Sequence, residues 1–286
     1  MKIGVMGVGI VGGATAKFLG KAHELFLYDK FKQEYNSLEN LKNLAKNSEI
    51  IFICVPTPMK ITGEIDHSSV YNSLDQLVEE MRKTGRNPQD VLITIRSTAV
   101  SGTTDSLSWK YPFRFSFNPE FLREKHAIED MENTDRIVIG ANDERSRIQL
   151  QEAYKSIFPN ARYVLVTTKE AEMIKYAANV TLASQIATAN EIYQICKAIG
   201  INYNTIKEAI LLDNRIGRNI DVPGNDGDLG FGGKCFPKDL RALIRLAQEH
   251  EYDPYLLQEI WRTNEKVREN KDWLKISGAT SDNNPL

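Results

Sequence analysis

Cysteine is scarce in this chain of 286 residues: there are three, at positions 54, 196 and 235, and no two stand in a C-x-x-C pair. That excludes a zinc ribbon, leaves no metal site to expect, and makes a disulfide-stapled fold improbable on arithmetic alone. Long apolar runs are missing too, and the first residues lack the basic start, apolar stretch and small-residue cleavage site of a secretory signal. The expected location is the cytoplasm. Charge of one sign is not in excess, since 36 basic residues meet 38 acidic ones for a net −2. Neither nucleic acid nor an anionic membrane is therefore expected as a partner. Proline and glycine are absent between Glu170 and Gly200, an alanine-rich stretch with Ile174, Ala177, Ala178, Thr181, Leu182 and Gln185 near helical spacing. One long helix, ended by Gly200, is predicted there.

Short apolar runs fill the first half: Ile3 to Met6, Leu25 to Tyr28, Ile50 to Val55, Val91 to Ile95, Arg114 to Phe117, Ile137 to Ile139 and Tyr163 to Val166. Helical patterns separate them, which predicts an α/β, doubly wound, mostly parallel Rossmann-like sheet over residues 1–168. Residues 169–276 read as a helical domain, with further helices over Tyr203 to Leu212, Pro237 to Glu249 and Pro254 to Trp273. The tail 277–286 is small and polar, and is expected to be poorly ordered.

The first predicted strand runs into Gly7-Val-Gly9-Ile10-Val11-Gly12 and then a predicted helix. Glycines at that spacing let backbone approach a pyrophosphate, whose charge the helix N-terminus favours. Asp29 closes the second strand, where its carboxylate can accept hydrogen bonds from ribose hydroxyls and repel a 2′-phosphate. NAD is therefore preferred over NADP, although Lys30 beside it acts the other way.

At the far end, Gly230-Phe-Gly-Gly-Lys-Cys-Phe-Pro-Lys-Asp239 is dense in glycine, which leaves room for a substrate next to a thiol. Cys235 has no apolar run around it, and Lys234 and Lys238 should make its thiolate easier to form. Cys54 and Cys196 lie in apolar or helical patterns and read as packing. Pro237 suits a helix start and places Asp239 one turn along from the thiol. On the long helix, Lys175 and Asn179 are four apart and able to face an oxyanion. Arg96-Ser-Thr98-Ala-Val100 and Asn118-Pro-Glu120-Phe121-Leu122-Arg-Glu124 each follow a strand, bringing hydroxyls and carboxylates to the carboxyl edge of the sheet. Alone, Asp239, Lys175 and Asn179 each read better as part of a solvated helix face, and the two strand-end segments read also as a turn and as a helix N-terminus that favours acidic residues; their value lies in acting together.

Taken in order, these motifs, with Cys54-Val-Pro-Thr-Pro58, Ala171-Glu-Met-Ile-Lys175, Asn190-Glu191 and Arg215-Ile-Gly217, resemble the UDP-glucose/GDP-mannose dehydrogenase family. The resemblance implies an NAD-dependent oxidation of the C6 primary alcohol of a nucleotide sugar, UDP-glucose first among the candidates, through an aldehyde to the acid. By it, Cys235 captures the aldehyde, Lys175 and Asn179 hold negative charge, and Asp239, Thr98 and Glu120 position or activate water. Ile10, Val11, Val55, Thr57, Thr98 and Glu124 join the glycines, Asp29 and Lys30 on the cofactor side. Glu120, Phe121, Leu122, Phe231 and Gly232 line the sugar with Lys175 and Asn179, and Arg215 reaches a neighbouring subunit, so a homodimer through the helical domain is implied. Lys125 stands where the family commonly has glycine, and is expected to narrow or recharge the sugar pocket. The family normally continues into a second nucleotide-binding-like domain, so the chain is expected to be a short form without it. Two alternatives stay open: a dehydrogenase of the same architecture acting on a smaller hydroxyl substrate, or a non-catalytic NAD-binding subunit needing a partner domain.

Overall fold

The computed structural model describes residues 1–60, 62–276 and 279–281. It divides into two compact units, one of Met1–Thr57 with His67–Lys175, the other of Pro58–Asp66 with the chain from Tyr176 onward.

The first unit holds a seven-stranded sheet whose strands fall on the seven apolar runs: β1 (Lys2–Met6), β2 (Glu24–Tyr28), β3 (Ile50–Ile53), β4 (Leu92–Ile95), β5 (Arg114–Phe117), β6 (Arg136–Gly140) and β7 (Arg162–Val166). Their order is β2-β1-β3-β4-β5-β6-β7, and all neighbours are parallel except β5 and β6. β3 and β4 are buried at every residue, as central strands covered on both faces must be. Side chains alternate between two cores. Ile51, Ile53, Ile93 and Ile95 meet Leu44 of α2 (Leu38–Asn47), Leu74 and Leu77 of α3 (Ser68–Thr84) and Leu107 of α4 (Thr103–Lys110). Ile50, Phe52 and Leu92 face the other way, onto Phe18 of α1 (Ile10–Leu19), Met131 of α5 (Ala127–Glu132) and Tyr154 of α6 (Glu144–Lys155). This period-two sorting is what makes the fold doubly wound.

Helix α7 (Thr168–Ile199) carries residues of both units. The second unit adds α8 (Tyr203–Ile210), α9 (Phe236–Glu249) and α10 (Tyr255–Val267), with one core around Val180, Ala183, Phe231, Leu240 and Ile260 and another around Cys196, Tyr203 and Val222. The helix predicted from Pro254 to Trp273 is shorter than expected. α10 stops at Val267, because Arg268 turns extended (φ −85°, ψ 124°) and sends its buried guanidinium to Asp226. Of the tail predicted to lack order, Ala279 and Ser281 pair with Met59, while 277, 278 and 282–286 lie outside the described residues. Among the described residues, no helix is long and apolar enough to cross a membrane, and no group of three or more His, Cys, Asp or Glu could hold a metal ion.

Candidate functional site

The chain leaves β1 for β2 on one side and later returns to β3 on the other, so strand order reverses between β1 and β3. Ligands of open parallel sheets bind at the carboxyl ends of such strands. The glycine turn stands there. Gly7 has φ +87°, and a Cβ on it would meet the Cys54 carbonyl oxygen at 2.7 Å; a Cβ on Gly12 would overlap the Gly7 carbonyl oxygen. Only glycine allows α1 to start this close to the sheet. At Gly9 the requirement reverses, since nothing lies within 4 Å of its Cβ position. Gly9 is the N-cap of α1 and gives no side-chain cap, so the first amides of the helix, Ile10 and Val11 among them, are disposed toward an anion.

Asp29 is buried, its carboxylate accepting the N–H groups of Val8 at 2.6 Å, Phe31 at 2.8 Å and Lys32 at 3.1 Å. Three acceptances leave lone-pair capacity for a ribose hydroxyl. Turn, helix terminus and carboxylate together fit a nicotinamide dinucleotide. Lys30 is exposed, Val55 half-buried and Thr57 buried just past β3.

After β4 and β5 come Thr98, half-buried, and Glu120. Lys175 on α7 donates to the Glu120 carbonyl at 2.6 Å and to its carboxylate at 2.8 Å; the other carboxylate oxygen accepts the Leu122 N–H at 2.7 Å. Burial alone would raise the Glu120 carboxyl, but the Lys175 ammonium, the Leu122 amide and Arg96 outweigh it and hold the group below its ordinary value. The Lys175 ammonium also stands 5.6 Å over the Phe121 ring. Glu124 and Lys125 are exposed, and both line a cavity of about 620 Å³ shared with Gly9, Ile10 and Gly13. The charge of Lys125 thus sits on the glycine-turn side.

Two polar residues in this unit stand inside motifs that the sequence singles out, but carry no predicted role of their own. Arg96 is buried and donates to the Tyr154 hydroxyl at 3.0 Å and to the Asn118 side-chain oxygen, which fixes the loop leading to Glu120. The signal was a charge ending an apolar strand, which demands buried partners. Glu172 is fully buried on α7 and accepts from Gly102 N–H (2.6 Å), Thr104 N–H (2.8 Å) and the Thr104 hydroxyl (2.6 Å), capping α4. Burial pushes its carboxyl up to about 7 against those three bonds.

In the second unit, Cys235 is exposed and stands as N-cap of α9, and its carbonyl accepts the Asp239 N–H at 2.8 Å. A helix N-terminus favours negative charge on sulfur. Asp239 is buried one turn on, and accepts from Asn179 at 2.5 Å and from Lys238 at 2.5 Å. The Lys238 ammonium, expected to serve the thiol, is thus engaged by Asp239. Phe231 is a core side chain with both backbone groups bonded to Asn264 (2.7 and 2.9 Å), and Gly232 follows it. Arg215 is exposed and pairs with Asp213 at 2.6 Å. Burial pushes the Cys54 thiol up to about 12, and Cys196 is packed in a core. The structure therefore joins Glu120 with Lys175 in one unit and Asn179 with Asp239 in the other, and Lys175 and Asn179 are one turn apart on α7.

The model for the NAD binding domain of the UDP-glucose/GDP-mannose dehydrogenase family matches residues 23–158, and that for the family's central domain matches 169–266. A UDP-glucose 6-dehydrogenase of Rickettsia conorii is 37% identical over 242 residues, 83% of this chain and 52% of that protein. A solved UDP-glucose dehydrogenase from Pyrobaculum islandicum superposes with a TM-score of 0.81 at 30% identity, covering 93% of this chain and 68% of that one. A GDP-mannose dehydrogenase from Pseudomonas aeruginosa, solved as a ternary complex, gives 0.67 at 27% identity over 93% and 69%. The chain spans about half the length of the curated relatives it matches.

Proposed function

The chain belongs to the UDP-glucose/GDP-mannose dehydrogenase family, and from that premise we propose that it oxidises the C6 alcohol of a nucleotide sugar, UDP-glucose first, to the carboxylate. The observation that carries this reading is an exposed cysteine at the start of α9, one turn from a buried aspartate held by Asn179 and Lys238. NAD would supply the hydride acceptor, with two molecules binding in succession and each taking one hydride, one for each two-electron oxidation. The glycine turn and Asp29 bind it, and Val55, Thr57 and Glu124 flank it. In the first oxidation the C6 hydroxyl loses a proton while C6 gives up one hydrogen as hydride, which leaves the aldehyde, and Lys175 and Glu120 are the pair suited to hold that oxygen and pass the proton on. The Cys235 sulfur then adds to the aldehyde carbon, forming a C–S bond and an oxyanion that Asn179 and Lys175 stabilise. Loss of the remaining C6 hydrogen as hydride leaves a thioester. Water, placed by Asp239, Thr98 or Glu120, cleaves the C–S bond, and the thiol and a carboxylate result. A homodimer in which Arg215 serves the neighbouring subunit's site completes the reading.

The test is reduced-nicotinamide formation with NAD and a panel of UDP-glucose, GDP-mannose and UDP-N-acetyl sugars, counting NADH per sugar consumed. Two per sugar with one donor supports the reading and names the substrate. One per sugar removes the thioester half. Turnover with none of them, in a protein that binds NADH, removes the nucleotide-sugar assignment.

A further inference from the structure

Cys235 is preceded by backbone that the sequence explains only as room for a substrate. The structure gives those glycines a different task. Gly230 (φ +67°) donates its N–H to the side-chain oxygen of Asn190 at 2.9 Å, and Phe231 is clasped at both backbone groups by Asn264 of α10. A Cβ on Gly232 would overlap both the Arg268 guanidinium and the Asp272 carboxylate, so its backbone lies directly on that pair. Gly233, at φ +74°, donates its N–H to the two Asp272 oxygens at 3.0 and 3.2 Å. Two residues later comes the thiol.

The Asp272 carboxylate is itself held. Arg268 has a side chain with no exposure, and its guanidinium meets Asp226 at 2.6 Å, Asp272 at 3.4 Å, the Leu229 carbonyl at 3.2 Å and the Asn270 carbonyl at 2.8 Å. A guanidinium keeps its charge when buried and requires such a full set of acceptors, which makes it a rigid anchor. It also reaches both ends of the segment 226–233, through Asp226 and, by way of Asp272, Gly233.

We propose that Asp272, fixed by Arg268, is a positioning residue for the nucleophile: its bond to the Gly233 amide sets where Cys235 stands at the start of α9. This rests on Cys235 being the nucleophile of the proposed reaction. Neither Arg268 nor Asp272 touches reacting atoms; they act through the loop. Because attack by a sulfur requires placement within a fraction of an ångström, a loop released from its anchor costs turnover without weakening sugar binding in proportion.

The experiment compares Asp272→Ala and Asp272→Asn with the unaltered full chain at one pH near neutrality. It measures the rate of Cys235 alkylation by iodoacetamide, followed by peptide mass, with kcat and KM for acid formation, NADH binding by fluorescence and thermal midpoint alongside. Asp272→Ala is expected to slow both alkylation and kcat about tenfold, with KM for the sugar and NADH binding unchanged. Asp272→Asn, whose amide oxygen still accepts from Gly233, is expected to recover most of that loss, which a merely structural carboxylate would not explain. Alkylation and kcat unchanged in Asp272→Ala, or an Asn variant as impaired as the Ala one, would overturn the inference. If the alanine variant does not fold, Arg268→Lys decides: it keeps the charge but not the fork, and a Cys235 rate equal to wild type would be equally fatal. The alkylation rates need no sugar. A wild type that turns over no sugar therefore removes the proposed reaction and leaves the inference to be judged on those rates.

Discussion

At the scale of single residues, the site separates into groups whose meaning is local and groups whose meaning depends on distant partners. Gly7 and Gly12 are of the first kind: a strand followed at once by a helix requires a turn that only glycine can make, and the turn lies within six residues. Cys235 is legible in the same way, from the glycines and the Pro237 helix start around it. Its replacement by serine is expected to abolish acid formation and leave NADH binding within about twofold, because the thioester route is lost while the glycine turn is untouched. Product analysis alongside a fluorescence titration checks this, and acid production at the wild-type rate would remove the cysteine chemistry. Asp29→Ala, in contrast, is expected to weaken NADH binding by about tenfold or more, since a charged acceptor of this kind is worth about 1.5–3 kcal/mol. Unchanged affinity in the same titration would take Asp29 out of the cofactor site. Arg96 and Glu172 are of the second kind. Their partners Asn118, Tyr154 and Thr104 lie 22, 58 and 68 residues away, and no local pattern announces them.

At the scale of elements, the strands were readable because each apolar run matches one strand and the two faces alternate. Helix α7 was readable from its unbroken composition, and Gly200 (φ +75°) marks its end as expected. Where α10 ends was not readable, because the helical pattern continues past Val267 and only the buried pairing of Arg268 with Asp226 breaks it. Glu172 shows how one element depends on another, since its carboxylate closes the N-terminus of α4 from α7. Its folded value of about 7 is above that of an unfolded glutamate, so the folded state holds the proton more tightly. The stability it contributes is full below the ordinary carboxyl range and is lost as pH rises through about 7. Between pH of about 5 and 8, therefore, wild type is expected to lose stability relative to Glu172→Gln, by at most about 3 kcal/mol. Urea unfolding at several pH values checks the sign; a difference between the two proteins that does not change with pH would refute the assignment.

At the scale of the whole molecule, each unit owns a core, and the helical one leaves Leu212, Tyr252, Tyr255 and Leu256 more than half exposed. Apolar side chains in that number are expected to find a partner, and a dimer is the expected state in light scattering at working concentration; a monomer there would refute it. The sequence by itself determined the doubly wound sheet, the dinucleotide turn and the presence of a cysteine with carboxylate, amide and lysine at fixed spacings, because all of these are set by neighbours within a turn or a strand. Only the tertiary structure decided that Lys175 answers to Glu120, that Lys238 and Asn179 both answer to Asp239, and that the glycines before Cys235 rest on Arg268 and Asp272. A buried charge takes whichever opposite charge or dipole the fold carries to it, and one-dimensional spacing does not specify that choice.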